Sequence, residues 1–129
     1  MNLEQYLDDC SQRKLNGSIL TFQASHPKWS YAKLDDDGFV CEVAEKKPIS
    51  NIATVGIYYW KEGKDFVKYA NQMISKNTRV NNEFYVCPVF NEAIKDKKII
   101  KIKKIDSMWG LGTPEDLDYF LKHYPKKDY

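Results

Sequence analysis

The stretch from Ile52 to Trp60 carries no charged side chain and is the most apolar run in the 129-residue chain. A run of that length and character fits a central β-strand buried on both faces, and such a strand needs neighbours beside it and cover above and below. The flanking segments alternate between two periodicities. Leu3, Tyr6, Leu7 and Cys10 stand at helical spacing, which predicts an amphipathic helix over residues 2–15, stopped by Gly17. Ser18 to Ala24 reads as a strand. Residues 29–34 and 39–45 read as two more, joined by Asp35-Asp36-Asp37-Gly38 into a hairpin.

After the apolar run, Phe66, Tyr69, Ala70, Met73 and Ile74 share a helix face. A further helix is predicted over residues 84–95, with Pro88 tolerable only near its first turn. Ile99, Ile100, Ile102 and Ile105, set among Lys98, Lys101, Lys103 and Lys104, predict an edge strand guarded by lysines. The last helix is well marked. Thr113 is a natural N-cap, Pro114 fits N1, Asp116 stands where a capping-box acid would, and Leu117, Phe120, Leu121 and Tyr124 form a stripe ended by Pro125. Strands and helices in this alternation predict the α/β class.

Composition narrows the function classes. The chain is 43% apolar and 29% charged, ordinary for a globular protein, and long enough for one domain or part of a larger one. A net charge of +2, from 20 basic and 18 acidic residues, gives no basic excess for nucleic acid. No apolar run approaches the roughly 20 residues a membrane helix needs. Neither nucleic acid nor membrane is expected as a partner. Cys10, Cys41 and Cys87 are odd in number and form no CxxC pair, so they read as reduced thiols in a cytoplasmic protein.

Candidate chemistry gathers where one strand ends and the next runs. By parity Glu45 shares a face with Phe39, Cys41 and Val43. A carboxylate on an apolar face needs partners, and sugar hydroxyls would serve, because an ionised carboxylate only accepts hydrogen bonds. Lys46 or Lys47 would then neutralise a phosphate. The other reading of Glu45-Lys46-Lys47-Pro48 is an exposed charge cluster where a strand meets a loop. On the next strand Thr54, Gly56 and Tyr58 share a face by parity: a hydroxyl, a gap and a phenol in a row. Gly56 marks either close approach of a ligand or packing beneath a helix. Asp35-Asp36-Asp37-Gly38 is read as a turn rather than a metal-binding D-x-D pair. Trp29, Trp60 and Trp109 are read as core, and neither His26 nor His123 points to catalysis.

Several pieces, in order, carry a family resemblance: His26-Pro27-Lys28-Trp29-Ser30-Tyr31, Glu45-Lys46-Lys47-Pro48, Ala53-Thr54-Val55-Gly56-Ile57-Tyr58, Asn82-Glu83-Phe84-Tyr85 and Trp109-Gly110-Leu111-Gly112-Thr113-Pro114. From Gly17 to Leu121 the chain resembles the C-terminal half of the sugar-1-phosphate nucleotidyltransferase family, which includes glucose-1-phosphate thymidylyltransferases. The resemblance implies a partial Rossmann-like, three-layer α/β/α fold with a mixed sheet, residues 1–129 forming the acceptor-binding half. It implies a reaction in which a sugar phosphate attacks the α-phosphate of a nucleoside triphosphate. Carried over by position, Glu45 binds sugar hydroxyls and Lys46 or Lys47 the acceptor phosphate. Thr54 and Gly56 line the sugar pocket, and Ser30 stands against the ligand.

The family's glycine-rich loop, base-reading residues and N-terminal metal-binding Asp have no counterpart here. The chain is therefore expected to need that missing half, or to self-associate, and to be inactive alone. Mg²⁺ is expected for the full reaction, but Gly110 stands where relatives place a metal-binding Asp, so no metal ligand is assigned to this chain. Two alternatives stay open: a non-catalytic sugar-phosphate-binding or interaction module, and a gene remnant without function.

Overall fold

A computed structural model describes residues 2–125. It contains one mixed five-stranded sheet with helices on both faces. In chain order the elements are α1 (Leu3–Gln12), β1 (Gly17–Gln23), β2 (Ser30–Leu34), β3 (Val40–Glu45), β4 (Ile52–Trp60), α2 (Gly63–Ser75), α3 (Val89–Lys95), β5 (Ile100–Lys104) and α4 (Pro114–His123). The strand order is β3-β2-β4-β1-β5, so the apolar run does form the central strand and the lysine-rich strand does form an edge. Only β1 and β5 are parallel; the other pairs are antiparallel.

Neighbouring residues of β1 divide the core. Ile19 joins Ala32, Val40, Val43, Cys87, Phe90 and Ile100 on the face covered by α2 and α3. Leu20 joins Tyr6 and Cys10 of α1 on the opposite face. Trp60 stacks on Phe90 with ring centroids 4.3 Å apart and so ties β4 to α3. The three-layer α/β/α arrangement expected from the sequence is present.

Local chemistry explains the element ends. The Asn2 side chain caps α1 by accepting from the Glu4 and Gln5 amides. That helix stops at Gln12, before Gly17, because Lys14 turns left-handed at φ 54°. In the β2–β3 turn, Asp35 Oδ1 accepts from the amides of Asp37 and Phe39, and Gly38 adopts φ +84°. The first carboxylate of the D-x-D stretch is thus engaged by its own turn. The Thr113 hydroxyl caps α4 by accepting from the Asp116 amide, as the sequence predicted.

Several expectations need correction. β4 is not buried on both faces along its length: Ala53 and Thr54 are buried, but Gly56 and Ile57 are exposed. The cause is a bulge. Ile19 pairs with Tyr58 and Thr21 with Thr54, so three residues of β4 stand against one of β1. A second irregularity, between Lys33 and Leu34 of β2, lets Val40 and Val43 both face the core while Cys41 turns out to solvent. Glu45 therefore shares a face with Val43 but not with Cys41. The helix predicted from residue 84 begins only at Val89, with Pro88 as its N-cap. Ile74 is exposed, and no residue of α4 is buried. The α4 stripe instead meets Trp109, whose ring lies 5.6 Å from Phe120 and 5.5 Å from Tyr124.

Candidate functional site

Three strands converge on a cleft of about 280 Å³ beside the bulge. β2 contributes Ser30, β3 contributes Glu45, and β4 contributes Thr54, Gly56 and Tyr58; Tyr85 and Cys87 close the side nearest α3. Register brings the first two together, since Ser30 pairs directly with Glu45. The position of Glu45 is reinforced from behind. The Asn91 amide of α3 makes two hydrogen bonds with Val43, accepting from its N–H at 2.9 Å and donating to its carbonyl at 2.8 Å. That clamp satisfies the outer edge of β3 two residues before the carboxylate.

The hydroxyls of Ser30, Thr54 and Tyr58 form a closed triangle. Ser30 Oγ and Thr54 Oγ1 are in close hydrogen-bond contact; Thr54 Oγ1 lies 3.1 Å and Ser30 Oγ 3.4 Å from the Tyr58 phenol oxygen. Gly56 stands between Thr54 and Tyr58 on β4. It adopts φ +97°, which favours glycine, and a Cβ built there meets no atom within 4 Å. The glycine is therefore open to the cleft and no helix packs over it.

Electrostatics sharpen the picture. Burial pushes the Glu45 carboxyl above the ordinary glutamate range, while the Lys46 charge and the Ser30 hydroxyl pull it back. Burial also pushes the Tyr58 phenol and the Cys87 thiol up to about 12. At neutral pH the cleft presents uncharged hydroxyls, an uncharged thiol and one carboxylate whose ionised form lacks full solvation, with Lys28 also on its wall. Such a set both donates to and accepts from a neutral polyhydroxyl ligand.

Of the residues singled out in the sequence, Ser30, Glu45, Thr54 and Gly56 are brought together. Lys46 and Lys47 are not among the lining residues. Lys46 takes a left-handed backbone (φ 55°) as the chain leaves β3, and its ammonium donates to the Tyr85 hydroxyl at 2.8 Å. The Lys47 side chain is exposed in the turn before Pro48. Lys28, Trp29, Tyr85 and Cys87 line the cleft without having been read as site residues. Trp29 is a cleft wall rather than core. Their only sequence signal was membership of the pieces His26–Tyr31 and Asn82–Tyr85, plus a cysteine two residues further on.

A larger cavity, of about 630 Å³, lies at the carboxyl ends of the parallel strands β1 and β5, against Trp109 and Tyr119. None of the predicted site residues reaches it. The smaller cleft is the better candidate because its polar groups converge and carry shifted ionisation. Gly110 lies against Asp116 and Trp29: a Cβ there would stand 3.4 Å from each. The Asp116 carboxylate is itself paired with Lys28, Nζ to Oδ1 3.0 Å.

No protein-family model matches the chain, and no curated protein sequence does. Solved structures do. A nucleoside-diphosphate-sugar pyrophosphorylase of Vibrio cholerae RC9 is similar at TM-score 0.79 and 24% identity, over 88% of this chain and 49% of that one. A Bacillus anthracis protein assigned as a glucose-1-phosphate thymidylyltransferase, solved with a sucrose, is similar at TM-score 0.71 and 18% identity, over 100% and 52%. A CMP:2-keto-3-deoxy-manno-octonic acid synthetase complexed with CTP follows at TM-score 0.56 and 15% identity, over 91% and 52%. These likenesses establish the fold, which is that of the nucleotide-sugar transferases. The chain spans about half the length of each of these structures.

Proposed function

We propose that this chain is the acceptor-binding half of a sugar-1-phosphate nucleotidyltransferase, holding a phosphorylated sugar in the cleft between β2, β3 and β4. The observation that carries the reading is the meeting of Ser30, Glu45, Thr54 and Gly56, from three strands, around one open cleft. Glu45 accepts hydrogen bonds from sugar hydroxyls. Ser30, Thr54 and Tyr58 can donate or accept, and Gly56 leaves room for the ring.

Nucleotide binding is assigned to the other half, on this or another polypeptide. So is Mg²⁺: Gly110 brings no side-chain ligand, and Asp116 is engaged by Lys28. Among the described residues no group of three His, Cys, Asp or Glu is placed to hold a metal. The outer edge of β5 and the exposed Leu3, Leu7 and Ile99 offer that half, or a second copy, a place to dock. Three free thiols accord with a cytoplasmic setting, and no helix of the described residues is long and apolar enough to cross a membrane.

Calorimetric titration of the purified chain with hexose 1-phosphates tests the reading. Binding is expected, weakened by Glu45→Gln, with no nucleotide sugar formed when a nucleoside triphosphate is added. Turnover is expected only with a nucleotide-binding half present. Absence of binding across a panel of hexose, aminohexose and heptose phosphates would remove the acceptor role. Turnover by the 129 residues alone would remove the claim of incompleteness.

A further inference from the structure

The carboxylate and hydroxyls of the cleft suit a sugar, and its phosphate calls for a cation. We propose that Lys28, rather than Lys46 or Lys47, is the phosphate-recognising residue, sharing its ammonium between the ligand and Asp116. The inference rests on the acceptor-binding reading and adds a specificity-determining residue to it.

Among the described residues Lys28 is the only cation lining the cleft. It stands two residues before Ser30, and its ammonium lies 4.8 Å over the ring of Trp29, itself part of the wall. Neither rival lysine lines the cleft, although Lys46 reaches the hydroxyl of the wall residue Tyr85. Lys46 is held by the Tyr85 hydroxyl and lies over that ring at 5.0 Å, an arrangement that raises its own pKa. Lys47 does not line the cleft.

Asp116 explains how Lys28 is positioned. Its carboxylate accepts from the Lys28 ammonium at 3.0 Å, and its backbone is fixed by the Thr113 cap in the first turn of α4. Gly110 lies between this turn and Trp29, where a Cβ would stand 3.4 Å from each. An ammonium has three donors, so one bond to Asp116 leaves others for phosphate oxygens. Asp116 also sets the strength of the site. It neutralises part of the lysine charge in the free protein, and that charge is released to a phosphate only in competition with the carboxylate.

The test compares affinities for hexose 1-phosphates, the matching hexoses and inorganic phosphate, measured by Trp fluorescence or calorimetry. Wild type and the variants Lys28→Met, Lys46→Met, Lys47→Met and Asp116→Asn are compared, with folding checked by circular dichroism. Methionine keeps an apolar stem over Trp29 while removing the charge. Wild type is expected to prefer the phosphorylated sugar by about tenfold or more, the scale of one charge-assisted hydrogen bond. Lys28→Met should bring that preference near unity with hexose affinity kept. Lys46→Met and Lys47→Met should retain it, and Asp116→Asn should raise it severalfold.

Loss of the preference in Lys46→Met or Lys47→Met but not in Lys28→Met would overturn the assignment, as would a preference lowered by Asp116→Asn. If Lys28→Met does not fold, the Asp116→Asn result decides. Wild type that binds hexoses and their phosphates equally would sink this inference alone. Wild type that binds neither would sink the acceptor-binding reading on which it stands.

Discussion

Replacing Thr54 by valine keeps the β-branched shape and strand preference and exchanges the hydroxyl at one corner of the cleft triangle for a methyl. Thr54 is 3% exposed, and its Oγ1 contacts both Ser30 Oγ and the Tyr58 phenol. Each such bond contributes about 1 kcal/mol net. The partners are not wholly orphaned, because Ser30 and Tyr58 remain 3.4 Å apart. The expected loss is therefore about 1–2 kcal/mol. With a urea m-value of roughly 2 kcal/mol/M, the midpoint should fall by about 0.5–1 M. Tyr58→Phe removes one corner of the same triangle and should cost about 1 kcal/mol. The double variant should cost less than the sum of the singles, by about 0.5–1 kcal/mol, since the Thr54–Tyr58 bond is lost only once. Equilibrium urea unfolding of the four proteins reads all of this. Strict additivity, or a Thr54→Val midpoint equal to wild type, would mean that the hydroxyls face water rather than one another.

Gly56→Ala should destabilise by about 1–2 kcal/mol even though space is open, because the penalty lies in the φ of +97° and not in a clash; an unchanged melting temperature by circular dichroism would refute this. The Glu45 carboxyl, followed by ¹³C NMR, should titrate above the ordinary glutamate range and higher still in Lys46→Ala, since that lysine charge favours the ionised form. A folded-state pKa raised in an acid means that Glu45 takes stability away as pH rises from the ordinary glutamate value through the folded one, and a polyol donating to the carboxylate should bring the midpoint down. Lys76→Ala should cost about 1–2 kcal/mol: it removes the partner 2.6 Å from Glu92, whose side chain is 5% exposed, though Lys76 itself is half in solvent. Chiefly because of that hydrogen bond, Glu92 titrates below the ordinary range, so its stabilisation is present above the unfolded pKa and lost as pH falls through the folded one. The gap between wild type and Lys76→Ala in urea should accordingly close in acid.

What could be read from the residues follows the range of each interaction. The Asp35–Gly38 turn, the Thr113 cap and the central place of Ile52–Trp60 depend on a few neighbouring residues, and each was legible. Parity failed where the ladder slips. The irregularity opposite Lys33 turned Cys41 outward, and the bulge in β4 exposed Ile57, neither of which leaves a mark in composition. Thr54 and Tyr58 still point to one place, because the inserted residues between them are an even number. Glu45, Thr54 and Gly56 stood out by strand parity and Ser30 only through the family resemblance; the strand order that brings the four together came from the structure. The whereabouts of Lys46 depended on a backbone turn and a tyrosine far along the chain, and Lys28 became visible only through Asp116.

The seat of β1 between β4 and β5 has a consequence for how the protein is made. One edge of β1 is completed by Ile52–Trp60 and the other by Ile100–Lys104, near the end of the described chain. During synthesis the β2–β3 hairpin can close early, while β1 must wait with one side bare until the last strand leaves the ribosome. Long-range parallel pairing of this kind is slow, and a bare strand can meanwhile recruit the same late segment from a neighbouring nascent copy.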